Sequence, residues 1–118
     1  MHGINFFQTN DLEAVDRFYR TDLGCALWLD QGTCRIYRAG NQLVGFCFAE
    51  KAEICGTITF FFAGKAEVDA MYSALVKVAE AEPADNPHYR IYHFFARDPE
   101  GRRVEFQCFG HAVDTEFS

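Results

Sequence analysis

The second half of this chain repeats the first, and the repeat constrains the fold more than any other feature. Val15-Asp16-Arg17-Phe18-Tyr19 is matched by Val68-Asp69-Ala70-Met71-Tyr72, Ile4-Asn5-Phe6-Phe7 by Ile58-Thr59-Phe60-Phe61, and Val44-Gly45-Phe46 by Val104-Glu105-Phe106. An aromatic-rich chain produces one such match by chance, but three in the same order indicate a duplicated unit, to be read as one motif made twice. The seam between the copies falls at about 50–56.

Each copy reads as β-α-β-β-β. In the first, the strand-like run Ile4-Asn5-Phe6-Phe7-Gln8-Thr9 meets Thr9-Asn10-Asp11, short polar side chains that can accept from the free N–H groups of a helix start. Leu12, Val15, Phe18 and Tyr19 then recur at helical spacing, and Gly24 supplies the left-handed conformation that closes a helix. Three strands follow, at about 26–30, 33–38 and 42–48, separated by Gln31-Gly32 and Gly40-Asn41. In the second copy a strand at 58–63 precedes an amphipathic helix that starts near Lys65 and carries Val68, Met71, Tyr72 and Leu75. A weakly signalled strand near 81–85, a strand within 89–97, a turn at Asp98-Pro99-Glu100-Gly101 and a strand at 103–109 complete it.

A length of 118 residues suits one domain with a real core, and 13 Phe beside two helical stretches argue for an α+β fold. The net charge of −6, with no basic run, makes nucleic acid an unexpected partner. No apolar run approaches the roughly 20 residues of a membrane span, and the start lacks a basic segment followed by an apolar stretch. A cytoplasmic protein without a membrane partner is expected. Cys25, Cys34, Cys47, Cys55 and Cys108 are scattered and form no CxxC pair, so they are expected as reduced thiols, mostly small buried apolar residues.

The segment from Asp11-Leu12 through Phe18-Tyr19 to Leu23-Gly24 resembles the "DLxxxxxFYxxxLG" first helix of the vicinal oxygen chelate superfamily, which includes glyoxalase I, bleomycin-resistance proteins and extradiol dioxygenases. The segment from Asp98-Pro99-Glu100-Gly101 to Glu105-Phe106 resembles that superfamily's "DPxGxxxEF" closing turn and strand. The resemblance implies a single domain over 1–118, with unit one at about 1–50 and unit two at about 56–110. The two tandem βαβββ units would form a cup-shaped mixed sheet with the helices outside and a ligand in the central cup. It also implies a homodimer. The superfamily's metal enzymes place His or Gln at the start of each first strand and Glu in each last strand. Carried over, those places hold Ile4, Ile58, Gly45 and Glu105, so only Glu105 can ligate. One carboxylate falls short of the three or four N/O donors that a tightly held divalent metal takes. No cofactor is therefore expected, and Zn²⁺, Ni²⁺, Mn²⁺ or Fe²⁺ on Glu105 stays open as the lesser alternative.

Side chains alternate across a strand, so turning Glu105 inward turns Arg103 and Gln107 inward as well. By the repeat, Leu43, Gly45 and Cys47 follow, and the first strands present Ile4, Phe6, Gln8, Ile58, Phe60 and Phe62. Cys34 and Ile36 read as facing the helix, which leaves Arg35 and Tyr37 inward, matched by His93, Phe95 and Arg97. The candidate ligand contacts are Gln8, Trp28, Arg35, Tyr37, Phe60, Arg97 and Gln107, and the candidate catalytic pair is Glu105 with His93. Aromatic walls with a few convergent polar groups suit a planar small molecule bearing an anionic group. The plainer alternatives are that Glu105 pairs with Arg103 or Arg97, that His93 is a hydrogen-bonded interior histidine, and that the aromatics only pack. His2, His88 and His111 read as solvated, and the 110–118 tail is expected to fray or to meet a dimer partner through Phe117.

Two functions follow. The first is a metal-independent small-molecule-binding protein of the bleomycin-resistance type. The alternative is a glyoxalase-like lyase or isomerase, or a dioxygenase, that uses Glu105 with His93. A purely structural or regulatory dimer is the third reading.

Overall fold

The computed structural model describes residues 1–115, so Phe117 lies outside the described residues. The order is β1 (Asn5–Thr9), α1 (Leu12–Asp16), β2 (Ala26–Asp30), β3 (Cys34–Ala39), β4 (Gln42–Phe48), β5 (Thr57–Phe62), α2 (Lys65–Leu75), β6 (Ala84–Asn86), β7 (Ile91–Arg97) and β8 (Arg103–Phe109). The predicted βαβββ order is thus made twice, as an α+β fold. The strands form two four-stranded mixed sheets, β1-β4-β3-β2 and β5-β8-β7-β6. In each sheet the first strand pairs parallel with the last and the other pairings are antiparallel. A parallel pair needs a crossover, which the helix and the intervening strands supply.

Two compact units divide the chain. The first holds Met1–Cys55 together with Asp98–Arg102, and the second holds Gly56–Arg97 and the chain from Arg103 onward. In the first unit, Asp11 caps α1 by accepting from the Ala14 N–H at 3.0 Å. The helix widens into a π-helical stretch over Arg17–Asp22, where the Leu23 N–H reaches back five residues to the Phe18 carbonyl at 2.9 Å. A wider turn narrows the angle between successive residues, and the adjacent Phe18 and Tyr19 are both buried. Gly24, at φ 81°, ends the helix. Tyr19, Tyr37 and Phe46 form the aromatic core between helix and sheet, with Tyr19 and Phe46 centroids 4.7 Å apart.

The Asp98–Arg102 turn is built into this core. Arg102 is 1% exposed and bonds Asp98 at 3.0 Å, Glu100 at 2.9 Å and the Glu53 carbonyl at 2.7 Å. Tyr19 donates to the same Asp98 oxygen as the Arg102 guanidinium, its hydroxyl 2.8 Å from Oδ2. Burial, followed by the Asp98 charge, pushes the Tyr19 phenol well above its ordinary range. Glu100 accepts from the Thr9 hydroxyl and from the Asn10 N–H. Every buried charge here has a partner, as burial requires.

In the second unit, Val68 and Leu75 of α2 face Ile58, Phe94, Ala96, Val104 and Phe106, all buried. Phe106 is stacked between Phe60 at 5.6 Å and Phe94 at 5.2 Å. Burying one such side chain is worth ~1.5–3 kcal/mol.

Two sequence expectations are corrected. Cys34 and Cys47 are bonded as a disulfide, with their Cα atoms 4.0 Å apart, and only Cys25, Cys55 and Cys108 are free. The expected faces of β3 were also inverted. Ala39 pairs with Gln42 across the Gly40-Asn41 turn, so Tyr37 lies opposite Val44 and Arg35 opposite Phe46, on the helix side, while Cys34 lies opposite Cys47 on the other face. With the faces inverted, the two cysteines seemed to point apart. No helix among the described residues is long and apolar enough to cross a membrane.

Candidate functional site

Alternation along β8 builds the site. Val104, Phe106 and Cys108 are buried under α2, so Arg103, Glu105 and Gln107 project from the opposite, open face of the second sheet. The antiparallel neighbour β7 sets Phe95 beside Glu105, His93 beside Gln107 and Arg97 beside Arg103. The parallel neighbour β5 sets Thr59 beside Glu105 and Phe61 beside Gln107.

Both oxygens of Glu105 are engaged. Thr59 Oγ1 donates to Oε1 at 2.9 Å, and His93 Nδ1 lies 2.7 Å from Oε2. The side chains are 13% exposed for Glu105 and 17% for His93. Which atom donates in the His93–Glu105 contact depends on the histidine tautomer. The His93 ring meets the Phe95 ring edge-on at 5.1 Å, and the Arg103 guanidinium sits 3.6 Å over Phe95. The partners of Glu105 are thus Thr59 and His93. Both arginines go to Glu80, Arg97 at 3.1 Å and Arg103 at 3.3 Å. Glu80 reaches them because its N–H bonds the Phe95 carbonyl at 2.8 Å, beside the Ala79–Ala96 bridge. Next to this cluster, the Gln107 amide makes no hydrogen bond to the described residues, and Phe61 packs edge-on against Phe109 at 5.5 Å. A carboxylate touching an imidazole can hold or pass a proton, and the free amide and aromatic rings can orient a ligand.

Of the predicted site residues, His93, Arg97, Glu105 and Gln107 share this face. Gln8 lies on the open face of the first sheet beside Cys47, and Trp28 sits at a bulge in β2, 49% exposed. The inward placement of the other three is overturned. Arg35 turns to the helix and bonds Glu13 at 3.0 Å, and the Tyr37 hydroxyl donates to Asp16 at 2.7 Å. Phe60 belongs to the core against Phe106, because β5 is one residue out of the assumed register. The same shift makes Thr59, and not Ile58, the neighbour of Glu105. Thr59 and Glu80 were missed: Thr59 was assigned to the wrong face, and Glu80 falls in a stretch without periodicity.

In the first unit the counterparts of Thr59 and Glu105 are Phe6 and Gly45. The Phe6 ring covers Gly45 so closely that a Cβ there would lie 2.4 Å from Phe6 Cε1. The carboxylate position of that unit is filled by a ring. Among the described residues no three His, Cys, Asp or Glu side chains converge as metal ligands. On the open face of the second sheet the donors present are one carboxylate, Glu105, and one imidazole, His93. A cleft of about 470 Å³ lies elsewhere in the second unit, lined by Lys65, Asp85, Arg90, Tyr92 and Cys108 among others, and contains neither His93 nor Glu105.

No family model and no curated protein sequence matches the chain. Solved structures do. A glyoxalase-related enzyme from Fulvimarina pelagi is 16% identical with a TM-score of 0.81, covering 100% of this chain and 95% of that one. A lactoylglutathione lyase from Agrobacterium tumefaciens is 22% identical with a TM-score of 0.74, covering 92% of each chain. A glyoxalase/bleomycin resistance protein/dioxygenase family enzyme from Burkholderia phytofirmans PsJN is 18% identical with a TM-score of 0.77, covering 89% of this chain and 95% of that one. The chain shares the fold of these glyoxalase-related structures. A shared fold at such identity leaves the activity to be argued from the site.

Proposed function

We propose that this protein binds a small organic molecule, without a metal, against the open face of the second sheet. One observation carries the reading: both oxygens of Glu105, the one carboxylate retained at a ligand position, are taken by Thr59 and His93. Phe61, Phe95 and the Arg103 guanidinium supply flat surfaces, and Gln107 supplies an unused amide. That combination suits a planar, conjugated ligand with an anionic or carbonyl oxygen. The resemblance adds a homodimer to the proposal, testable by sedimentation, and the sequence adds a cytoplasmic location.

A second reading rests on the 2.7 Å contact between His93 and Glu105. The pair would abstract or deliver a proton in a lyase or isomerase reaction, with Nε2 facing substrate.

One experiment separates the two. Aromatic carboxylates and their uncharged analogues are screened by thermal shift, and Zn²⁺, Ni²⁺, Mn²⁺ and Fe²⁺ are titrated into wild type and Glu105→Gln. A ligand at about 100 times its Kd stabilises the folded state by ~2.7 kcal/mol. Saturable shifts with a carboxylate and none with metals are expected. A stoichiometric metal-dependent shift lost in Glu105→Gln would overturn the metal-free reading. Turnover of a bound molecule, lost in both Glu105→Gln and His93→Gln, would put the enzyme first.

A further inference from the structure

On the first sheet, Cys34 and Cys47 take the places that His93 and Gln107 take on the second. The β3–β4 ladder sets them directly opposite, and their sulfurs are bonded. Both are partly exposed, near the open end of the ladder. Beyond them the Phe48 N–H bonds the Thr33 carbonyl, and the Phe48 side chain is 56% exposed. A thiolate from solution therefore has a line of approach to the bridge, which is the first requirement for exchange.

The other three cysteines are poor competitors. Cys25 and Cys108 are 6% and 3% exposed. Burial pushes the Cys25 thiol up to about 11 and raises Cys108 too, so both stay protonated near neutrality. Cys55 is exposed and has no second cysteine to resolve an adduct. Nor is the bridge needed to set the strand register, because backbone pairing runs from Cys34–Cys47 to Ala39–Gln42. Both redox states are compatible with the same hairpin.

We propose that Cys34–Cys47 is a reversible thiol–disulfide exchange site for low-molecular-weight thiols, opening onto the face of the first sheet that carries Phe6 and Gln8. In the reducing direction a thiolate RS⁻ attacks one sulfur. The S–S bond breaks, the partner cysteine leaves as a thiolate, and a mixed disulfide remains. A second RS⁻ attacks the small-thiol sulfur of that mixed disulfide and releases RSSR and the other cysteine thiolate, and the two cysteine thiolates take up the two protons that the two RSH gave to water. The net change is protein disulfide plus two RSH to protein dithiol plus RSSR. Oxidation by RSSR is the reverse.

The test equilibrates the full chain in graded mixtures of reduced and oxidised glutathione, quenches with acid, removes glutathione by desalting into neutral buffer, and counts accessible thiols with an aromatic disulfide reagent. Alkylation and mass spectrometry then locate them. The accessible count is expected to move from one, Cys55, to three as the mixture becomes reducing, and to retrace when it is reversed. Cys34→Ser and Cys47→Ser should each trap a glutathione adduct on the remaining cysteine, while Cys55→Ser leaves the transition in place. Circular dichroism run alongside follows the fold, and the wild-type titration stands even if a serine variant is unstable. A bridge that stays closed in excess reduced glutathione, fails to close in oxidised glutathione, or opens only with unfolding overturns the proposal.

Discussion

Replacing Arg102 with Met tests whether the Asp98–Arg102 turn is a keystone of the first unit or a passive loop. Met keeps part of the apolar stem and removes the guanidinium, whose carbon sits 5.0 Å from the Phe46 ring centroid, with its charge and its donors. The variant leaves the buried Asp98 carboxylate without its cation and takes donors from Glu100 and from the Gln8 and Glu53 carbonyls. Breaking a buried ion pair from one side costs ~3–5 kcal/mol. Asp98 keeps the Tyr19 hydroxyl at 2.8 Å and the backbone N–H groups of Glu100 and Arg102 at 2.9 Å, which places the expected loss near the lower end, about 3 kcal/mol. Against the ~5–15 kcal/mol stability of a domain this size, that is a large fraction. Urea unfolding should show a lower midpoint with an unchanged slope. Adding Asp98→Asn should recover at least ~1 kcal/mol relative to additivity. A loss below ~1 kcal/mol with no coupling would refute the docked, charge-paired turn.

Gly45→Ala should destabilise by ~1 kcal/mol because the new Cβ meets the Phe6 ring, which is half exposed and can partly swing away. The same change in a Phe6→Ala background should cost less, as denaturant midpoints will show. Stability should fall as pH rises above about 10. Burial, then the Asp98 and Asp16 carboxylates, holds the Tyr19 and Tyr37 phenols above their ordinary range, so the folded state keeps protons that the unfolded chain releases. The slope should be about −1.4 kcal/mol per pH unit per phenol, and tyrosinate absorbance should lag until unfolding. Reducing Cys34–Cys47, which closes a short loop at a sequence separation of 13, should lower stability by ~3 kcal/mol in urea, and a change under ~0.5 kcal/mol would argue against any constraint on the unfolded chain.

The βαβββ order and the strands at Ala26–Asp30, Gln42–Phe48 and Arg103–Phe109 were legible because turn residues and periodicity mark them. The face of β8 was legible as well, since Val104 and Phe106 are apolar and Arg103, Glu105 and Gln107 are not. The face of β3 was readable in principle. A two-residue Gly40-Asn41 turn pairs Ala39 with Gln42, and counting back puts Tyr37 on the side of Val44. Weighing Cys34 and Ile36 as the more apolar pair hid it, because Tyr37 and Arg35 are held on the helix side by Asp16 and Glu13 and not by hydrophobicity. The register of β5 was not readable: it pairs parallel with β8, no turn fixes it, and Phe60, Phe61 and Phe62 offer the same chemistry to both faces. From that one-residue slip came both the loss of Thr59 and the misplacement of Phe60.

The two copies have diverged unevenly. Of the counterparts that meet the helix, Arg35 and Tyr37 on the third strands answer to Phe94 and Ala96, whereas Val44 and Val104, Phe46 and Phe106, and Phe7 and Phe60 are alike. A close-packed interior penalises any change of volume there. On the open faces nothing enforces likeness, and the counterparts are chemically unrelated: Phe6 over Gly45 against Thr59 bonded to Glu105, and a disulfide against His93 beside Gln107. A duplication that kept one function would be expected to hold these positions in step. Their separation into an apolar, redox-capable face and a proton-carrying, amide-bearing face argues that the two sheets now do different chemistry on one inherited frame. The discriminating variants are therefore Cys34→Ser and Glu105→Gln. The first should alter thiol exchange and leave ligand affinity intact, and the second should do the reverse.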